Sequence, residues 1–237
     1  MANSLLEISN LNAYYGKSHV LQGIDLRVNS GELVVVIGRN GMGKTTLMRT
    51  ILALPPVRRM GEIVFDGRET VKKPTHEIAA MGVGYVPQGR LLFPSLTVDE
   101  HLQFACREKK KESQWTPDVV YKLFPELKNR AEVGGARLSG GEQQMLAIGR
   151  ALVTNPALLL MDEPSEGLAG IVIQRVEQVC RHLTSQGMAI LLVEQNLEMA
   201  QTLADRAYIF HNGSIAYTAS GDIFRQDRET VGKYLGV

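Results

Sequence analysis

The apolar positions of this chain fall into short unbroken runs. Residues 33–37, 157–161 and 189–193 are each apolar throughout and bounded by turn residues. Five apolar residues without polar alternation predict a strand covered on both faces, as in a parallel sheet. A helical stretch follows each run, over 44–53, 171–185 and 196–204. Strand and helix in alternation predict an α/β core with right-handed crossovers.

Two regions break this rhythm. Residues 5–15 and 20–28 read as antiparallel strands joined by a turn at Gly16, and 62–66 runs into a second turn at Asp66-Gly67. Residues 97–107, 117–124 and 142–153 read as helices with few strand signals between them. The expected organisation is one domain of 1–237, with a core of 1–90 and 155–237 and a helical insertion over about 91–154. The charged stretch 107–112 is expected to be a solvated helix end, because its three lysines are flanked by glutamates.

Composition narrows the function classes. Lys and Arg number 26 against 25 Asp and Glu, a formal net charge of +1, which excludes nucleic-acid binding driven by bulk charge. Apolar residues at 44% and charged residues at 22% describe an ordinary globular protein. Cys106 and Cys180 make neither a disulfide framework nor a metal-ligand spacing, and are expected to be reduced. The first residues lack the pattern of a signal peptide. No apolar run approaches the ~20 residues of a membrane span.

The sharpest chemical signal is Gly38-Arg39-Asn40-Gly41-Met42-Gly43-Lys44-Thr45, followed by Thr46. It satisfies G-x-x-x-x-G-K-[ST] between a buried strand and a helix, the context a phosphate loop requires. Glycines let backbone N–H groups converge on phosphate oxygens, and the helix N-terminus adds partial positive charge. Lys44 is the candidate for the β and γ phosphates, and Thr45 for Mg²⁺. Strand 157–161 then ends in Asp162-Glu163. Adjacent carboxylates on an apolar strand are costly unless they serve a purpose. Asp162 is the candidate metal ligand, and Glu163 the group that orients the attacking water.

A third signal is Leu138-Ser139-Gly140-Gly141-Glu142. Ser139 and Glu142 are spaced as a capping box. Two glycines in a first helical turn are poor for stability, yet they expose N–H groups beside a serine hydroxyl. That is a second phosphate cradle in a chain with one phosphate-loop lysine. Two chains facing each other, each completing the other's site, resolve the mismatch.

With these motifs the chain resembles the nucleotide-binding subunits of ATP-binding cassette transporters, over essentially its whole length. The resemblance implies a phosphate-loop NTPase (RecA-like) core with an N-terminal antiparallel β region and a helical subdomain, hydrolysing ATP with Mg²⁺. It implies that Tyr15 stacks on adenine and that Gln88 touches Mg²⁺ and senses the membrane partner. It implies that 164–169 crosses to the opposite subunit. The metal set is then Thr45, Gln88 and Asp162, and the catalytic set Glu163, Lys44 and Gln195. Gln195 stands where the family usually has a switch histidine, and Ala169 where the crossing loop usually ends in Asp. Glutamine can bond a phosphate oxygen but carries no charge, so, where the partner ATPase keeps histidine, the site on this chain is expected to be the slower.

Leu192-Val193-Glu194-Gln195-Asn196, 143–150 and Tyr234-Leu235-Gly236 resemble the smaller ATPase of branched-chain amino acid importers. Residues 14–19 and 86–90 resemble the related urea and short-amide importers. The implied partners are a second, different ATPase, two membrane permease subunits and, indirectly, a solute-binding protein, with no nucleic acid. The implied place is the cytoplasmic face of the inner membrane. Leu91-Leu92-Phe93-Pro94 follows Gln88 with little polar relief and reads either as packing of the helical insertion, the expected use of two of the four, or as a groove that receives a short helix of the permease. After Gly213 a strand and one short helix are expected, too little for a regulatory domain. The competing class is a soluble ATPase of the same fold in DNA repair or translation. Its members usually carry two cassettes or a long coiled insertion, for which 237 residues leave no room.

Overall fold

The structure, a computed structural model, describes residues 4–106 and 114–235. The charged stretch 107–112 and Gly236 lie outside the described residues.

Strands β1 (Ser4–Tyr15) and β2 (Ser18–Asn29) pair antiparallel across the Gly16 turn. Strand β3 (Leu33–Ile37) leads into helix α1 (Lys44–Ile51). Strand β4 (Arg58–Phe65) begins four residues before the apolar stretch read from the sequence. Its polar start is held by pairing, with Arg58, Arg59 and Met60 opposite Tyr14, Ala13 and Asn12. Strand β5 (Arg68–Glu69), helix α2 (Thr75–Ala80) and strand β6 (Val83–Val86) follow.

Between β6 and the next strand the described chain is helical: α3 (Val98–Ala105), α4 (Pro117–Leu123), α5 (Pro125–Lys128), a 3₁₀ turn at Gly135–Arg137 and α6 (Gly140–Leu152). Thr97 and Glu100 form a capping box on α3, and Thr116 caps α4 ahead of Pro117 at the first helical position. Helix α6 starts two residues earlier than its apolar pattern, because Ser139 supplies the cap. Strand β7 (Leu158–Asp162), helix α7 (Gly170–Ser185), strand β8 (Ala189–Glu194) and helix α8 (Leu197–Leu203) restore the alternation. Strands β9 (Arg206–His211) and β10 (Ser214–Ser220) lead to α9 (Gly221–Gln226) and α10 (Arg228–Leu235). Two helices therefore stand where one was expected. Asp227 leaves helical geometry between them, and its carboxylate accepts a bond from the Tyr217 hydroxyl.

The main sheet has the order β10-β9-β3-β8-β7-β6, parallel except at β10. The second sheet, β2-β1-β4-β5, is antiparallel. The unbroken apolar runs are explained by the two cores they serve. Leu33, Val35, Ile37, Leu159, Met161, Ile190 and Leu192 join the cluster built with the helices. Val34, Val36, Leu158, Leu160 and Leu191 join the cluster under the antiparallel sheet. Each such side chain contributes about 1.5–3 kcal/mol of burial.

Gly149 sets how close the helices approach α6. A Cβ there would lie 2.7 Å from Val120 Cγ1 and 3.4 Å from Leu102 Cδ2. Both neighbours are fully buried, so neither can give way freely. Gly149→Ala should therefore lower the Tm by about 3–6 °C, some 1–2 kcal/mol, despite alanine's better helix propensity. In a Val120→Ala background the same change should cost nothing, and thermal melts of the four proteins in the cycle check this.

Candidate functional site

The C-terminal ends of β3 and β7 carry the chemistry, with β8 between them in the sheet. The chain leaves β3 through residues 38–43, with Gly41 and Gly43 at φ of 81° and 101°, and enters α1 at Lys44. Lys44 is buried. Its ammonium donates to the carbonyls of Gly38 at 2.7 Å and Arg39 at 3.1 Å, and pairs with Glu163 Oε1 at 3.1 Å. Met42 is anchored from the β9–β10 turn, whose Gly213 N–H donates to its carbonyl at 3.1 Å.

Asp162 and Glu163 are buried, and each has partners. The Thr45 hydroxyl donates to Asp162 Oδ1 at 3.2 Å, and the Tyr85 hydroxyl to Oδ2 at 3.3 Å. Burial pushes the Asp162 carboxyl up to about 6, against the hydrogen bond from Thr45, with the Glu163 charge adding to the rise. Burial and the Asp162 charge also raise the Tyr85 hydroxyl. Glu163 has left-handed backbone, φ 47°, with its N–H on the Val193 carbonyl of β8 at 2.9 Å. Such strain in a non-glycine residue is held where the surroundings over-determine it. Gln88 Nε2 reaches Glu163 Oε2 at 3.4 Å and Glu166 Oε2 at 3.0 Å.

Beside these groups lies a cavity of about 320 Å³ lined by Val20, Asn40, Gly41, Gly43, Lys44, Thr45, Thr46, Gln88 and Glu163, with Asp162 behind Thr45. Of the residues read from the sequence, the phosphate loop, Gln88, Asp162 and Glu163 thus converge. The hydroxyl of Thr45, the carboxylate of Asp162 and the amide oxygen of Gln88 are hard oxygen donors. No group of three or more His, Cys, Asp or Glu able to hold a metal occurs among the described residues. The donor set therefore fits a cation of the Mg²⁺ type that takes its remaining ligands from phosphate and water.

Tyr15 sits half-buried at the end of β1. Tyr14 is engaged elsewhere: its ring stacks on His19 at 4.3 Å, and the Arg58 guanidinium lies over it at 4.7 Å. Among the described residues Tyr15 has no such ring partner, which leaves it the free aromatic face.

Ser139, Gly141 and Glu142 line a different cavity, of about 400 Å³, together with Val172 and Arg175. Ser139 and Glu142 form the expected capping box. Gly141 has a packing reason that the sequence did not show, since a Cβ there would meet Val172 Cγ2 at 3.1 Å. Gly140 faces the Arg90 guanidinium, 3.4 Å from where its Cβ would be. Gln195 is exposed and does not line the phosphate-loop cavity.

Three residues at the site were missed by sequence reasoning. Tyr85 holds Asp162, and Ser165 and Glu194 bond each other. Burial raises the Glu194 carboxyl, opposed by bonds from Asn196, Ser165 and Gln195. A glutamate ending an apolar strand is the one signal that could have drawn attention to Glu194.

Known proteins share both the sequence pattern and the fold. The profile described as "ABC transporter" matches residues 21–166. The chain is 42% identical to the high-affinity branched-chain amino acid transport ATP-binding protein of Pseudomonas aeruginosa, over 98% of this chain and 100% of that one. It is 33% identical to the lipopolysaccharide export system ATP-binding protein of Haemophilus influenzae, over 98% of each. A nucleotide-free ATP-binding cassette from an ABC transporter superposes with a TM-score of 0.84 at 25% identity, covering 98% of this chain and 97% of that one.

Asp162 makes the stability of the cation-free chain depend on pH. Its folded pKa, about 6, lies above the ordinary 3.8, so folding disfavours the ionised form. The penalty is complete above the folded value and is relieved as pH falls from there toward 3.8. In chelator, lowering the pH from about 7.5 to about 5 should therefore yield roughly 1 kcal/mol from this group. Asp162→Asn should show a correspondingly smaller change in Tm over that interval, by about 3–5 °C. Identical pH slopes in the two proteins would contradict it.

Proposed function

The chain belongs to the ABC transporter family and is an ATP-hydrolysing subunit of such a transporter, and from that premise we propose that it powers uptake of branched-chain amino acids or a related small solute, urea or a short amide. The observation that carries the choice of solute is the 42% identity, over nearly the whole of both chains, to a protein named for branched-chain amino acid transport. The 33% identity to a lipopolysaccharide export ATPase is lower over the same span.

The hydrolytic roles follow from the partners each group has. Lys44 now rests on two carbonyls and Glu163. The β and γ phosphates of ATP offer it stronger charge, so Lys44 turns to them and releases Glu163. Residues 38–46 wrap the phosphates with backbone N–H groups, and Tyr15 stacks on adenine. Thr45, Asp162 and Gln88 would hold Mg²⁺, which would neutralise charge on the phosphate oxygens. Glu163, freed, accepts a hydrogen bond from water and aims it at the γ-phosphorus. Attack forms the new P–O bond as the bond to the β–γ bridging oxygen breaks, releasing ADP and phosphate. Gln195 belongs to the same chain's site, with a side-chain amide able to bond a γ-phosphate oxygen.

The two phosphate cradles of this chain open into separate cavities. Ser139, Gly140, Gly141 and Glu142 therefore serve the nucleotide of a second ATPase in a head-to-tail dimer, the second subunit being a homologous, non-identical chain. Two permeases complete the transporter, and a solute-binding protein delivers the cargo. The organisation is a single nucleotide-binding domain, with core 1–90 and 155–237 and a helical subdomain over about 91–154. No helix among the described residues is long and apolar enough to cross a membrane. The chain works peripherally, on the cytoplasmic face, through its permeases. Leu91, Phe93 and Phe104 supply the docking surface: all three are exposed, and Phe93 meets Phe104 edge to face at 6.3 Å. Leu92 instead packs against the core.

Glu163→Gln should keep ATP affinity within about twofold and lower turnover by at least ~100-fold; parental turnover would remove Glu163 from its role. Phe93→Asp should leave the chain folded and its ATPase activity intact in isolation while uptake is lost in the assembled transporter. A collapsed melting curve would instead assign Phe93 to packing. Uptake of labelled leucine, isoleucine and valine by cells deleted for this chain tests the solute. Loss of urea or acetamide uptake alone selects the related solutes. Intact uptake of all of these together with a defect in lipopolysaccharide export sinks the import reading.

A further inference from the structure

Glu194 is a fully buried carboxylate that the hydrolytic scheme does not use. It ends β8, beside the strand that carries Asp162, in the register Asp162 opposite Val193. Its Oε1 accepts the Ser165 N–H at 3.1 Å. Its Oε2 accepts the Ser165 hydroxyl at 2.9 Å, the Gln195 N–H at 3.0 Å and the Asn196 N–H at 3.1 Å. No cation pairs with it among the described residues.

We propose that Glu194 is a positioning residue for hydrolysis, tying the loop that carries Glu163 to the loop that carries Gln195 through one shared acceptor. The proposal rests on Glu163 as the residue that aims the water. Burying a carboxylate is costly, and bonds to a charged acceptor are about twice as strong as neutral ones. Four donors converging on one carboxylate make that burial tolerable. They also make each loop's position depend on the other's, because neither loop can leave without stranding a buried charge. Glutamine would turn an N–H₂ group toward donors, and only an ionised carboxylate presents acceptors alone.

The consequence reaches Glu163 through a short lever. Glu163 is in strained left-handed backbone, held on one side by its N–H on the Val193 carbonyl. Two residues later, Ser165 is held twice by Glu194. The strained turn is thus pinned at both ends to the last two residues of β8. Releasing the second pin lets the turn relax and moves the Glu163 carboxylate. ATP binding rests on Lys44 and the phosphate loop, which Glu194 does not touch.

The test compares Ser165→Ala, Ser165→Thr, Glu194→Gln and Glu163→Gln in the full chain. Ser165→Ala should lower kcat about 5–20-fold and Glu194→Gln about 10–100-fold, with KM and nucleotide affinity within about twofold of the parent. Ser165→Thr keeps the hydroxyl and should stay near the parental kcat. The double variant Ser165→Ala/Glu194→Gln should lose little more than Glu194→Gln alone, since both remove one linkage. Hydrogen exchange should quicken together at Ser165, Gln195 and Asn196 in Glu194→Gln, while α1 is unchanged. Parental kcat in Ser165→Ala, equal losses in the Ala and Thr variants, multiplicative losses in the double, or an effect on KM alone would each overturn the proposal. If Glu194→Gln does not fold, the Ser165 pair decides. Glu163→Gln separates the two levels: if it keeps turnover, the assignment of Glu163 has failed. If it is inactive while Ser165→Ala is not, only the role of Glu194 has failed.

Discussion

One buried ammonium and two buried carboxylates meet where β3 and β7 end, and each is tolerable there only because the fold brings it a partner. Lys44 is 3% exposed, Glu163 9% and Asp162 not at all. Removing such charges from water costs several kcal/mol each unless they are paired and hydrogen-bonded. The Lys44–Glu163 ion pair meets part of that cost, and donors from Thr45 and Tyr85 meet part for Asp162. The cluster still carries one more negative charge than positive. That imbalance suits a site whose substrate arrives with a divalent cation; burial first, with the Glu163 charge adding to it, holds the Asp162 carboxyl above its ordinary range.

The sheet exists to make that meeting possible. Parallel strands end at one edge, so groups distant in sequence emerge side by side. The full burial of β3, β7 and β8 on both faces makes the edge rigid enough to hold Glu163 in strained backbone. The same economy appears where β6 leaves the sheet. Gly89, Arg90 and Leu91 are all left-handed, with φ of 73°, 67° and 43°. Non-glycine residues in that region cost about 1–3 kcal/mol each. Arg150 of α6 holds the segment by donating to the carbonyls of Leu91 at 2.9 Å and Arg90 at 3.1 Å. Arg90 in turn donates to Gln143 and to the Glu166 carbonyl. The segment that connects sheet to helices is thereby strapped to α6 and to the loop 164–169 at once.

Function is distributed over loops for the same reason. The phosphate loop, the Gln88 segment, the loop after Glu163 and the loop at Gln195 are short, polar and anchored at strand ends. Side-chain contacts link the first three of them directly, through Lys44–Glu163 and the Gln88 bonds to Glu163 and Glu166. A ligand that takes Lys44 away from Glu163 changes a partner of Gln88, and Gln88 also holds Glu166 in the loop 164–169. Nucleotide occupancy is thus connected to the surface that would face a second ATPase by side-chain contacts alone, without movement of the sheet.

The sequence by itself determined whatever depends on local spacing. Residues 33–37 read as a buried strand because five apolar side chains in a row have no solvent face. Gly38–Thr45 read as a phosphate loop because glycine spacing dictates backbone curvature, and Ser139 with Glu142 read as a cap because three residues bring them together. Tertiary structure alone decided what depends on pairing between distant segments. It placed β8 between β3 and β7, drew the polar Arg58–Met60 into a strand and engaged Tyr14 while leaving Tyr15 free. It also required glycine at 149 and made Glu194 the acceptor for two loops. A glutamate at the end of a strand looks the same in sequence whether it faces water or four donors. The physical difference lies in which chain segments the sheet brings within hydrogen-bonding distance, and pattern within one segment carries no record of that.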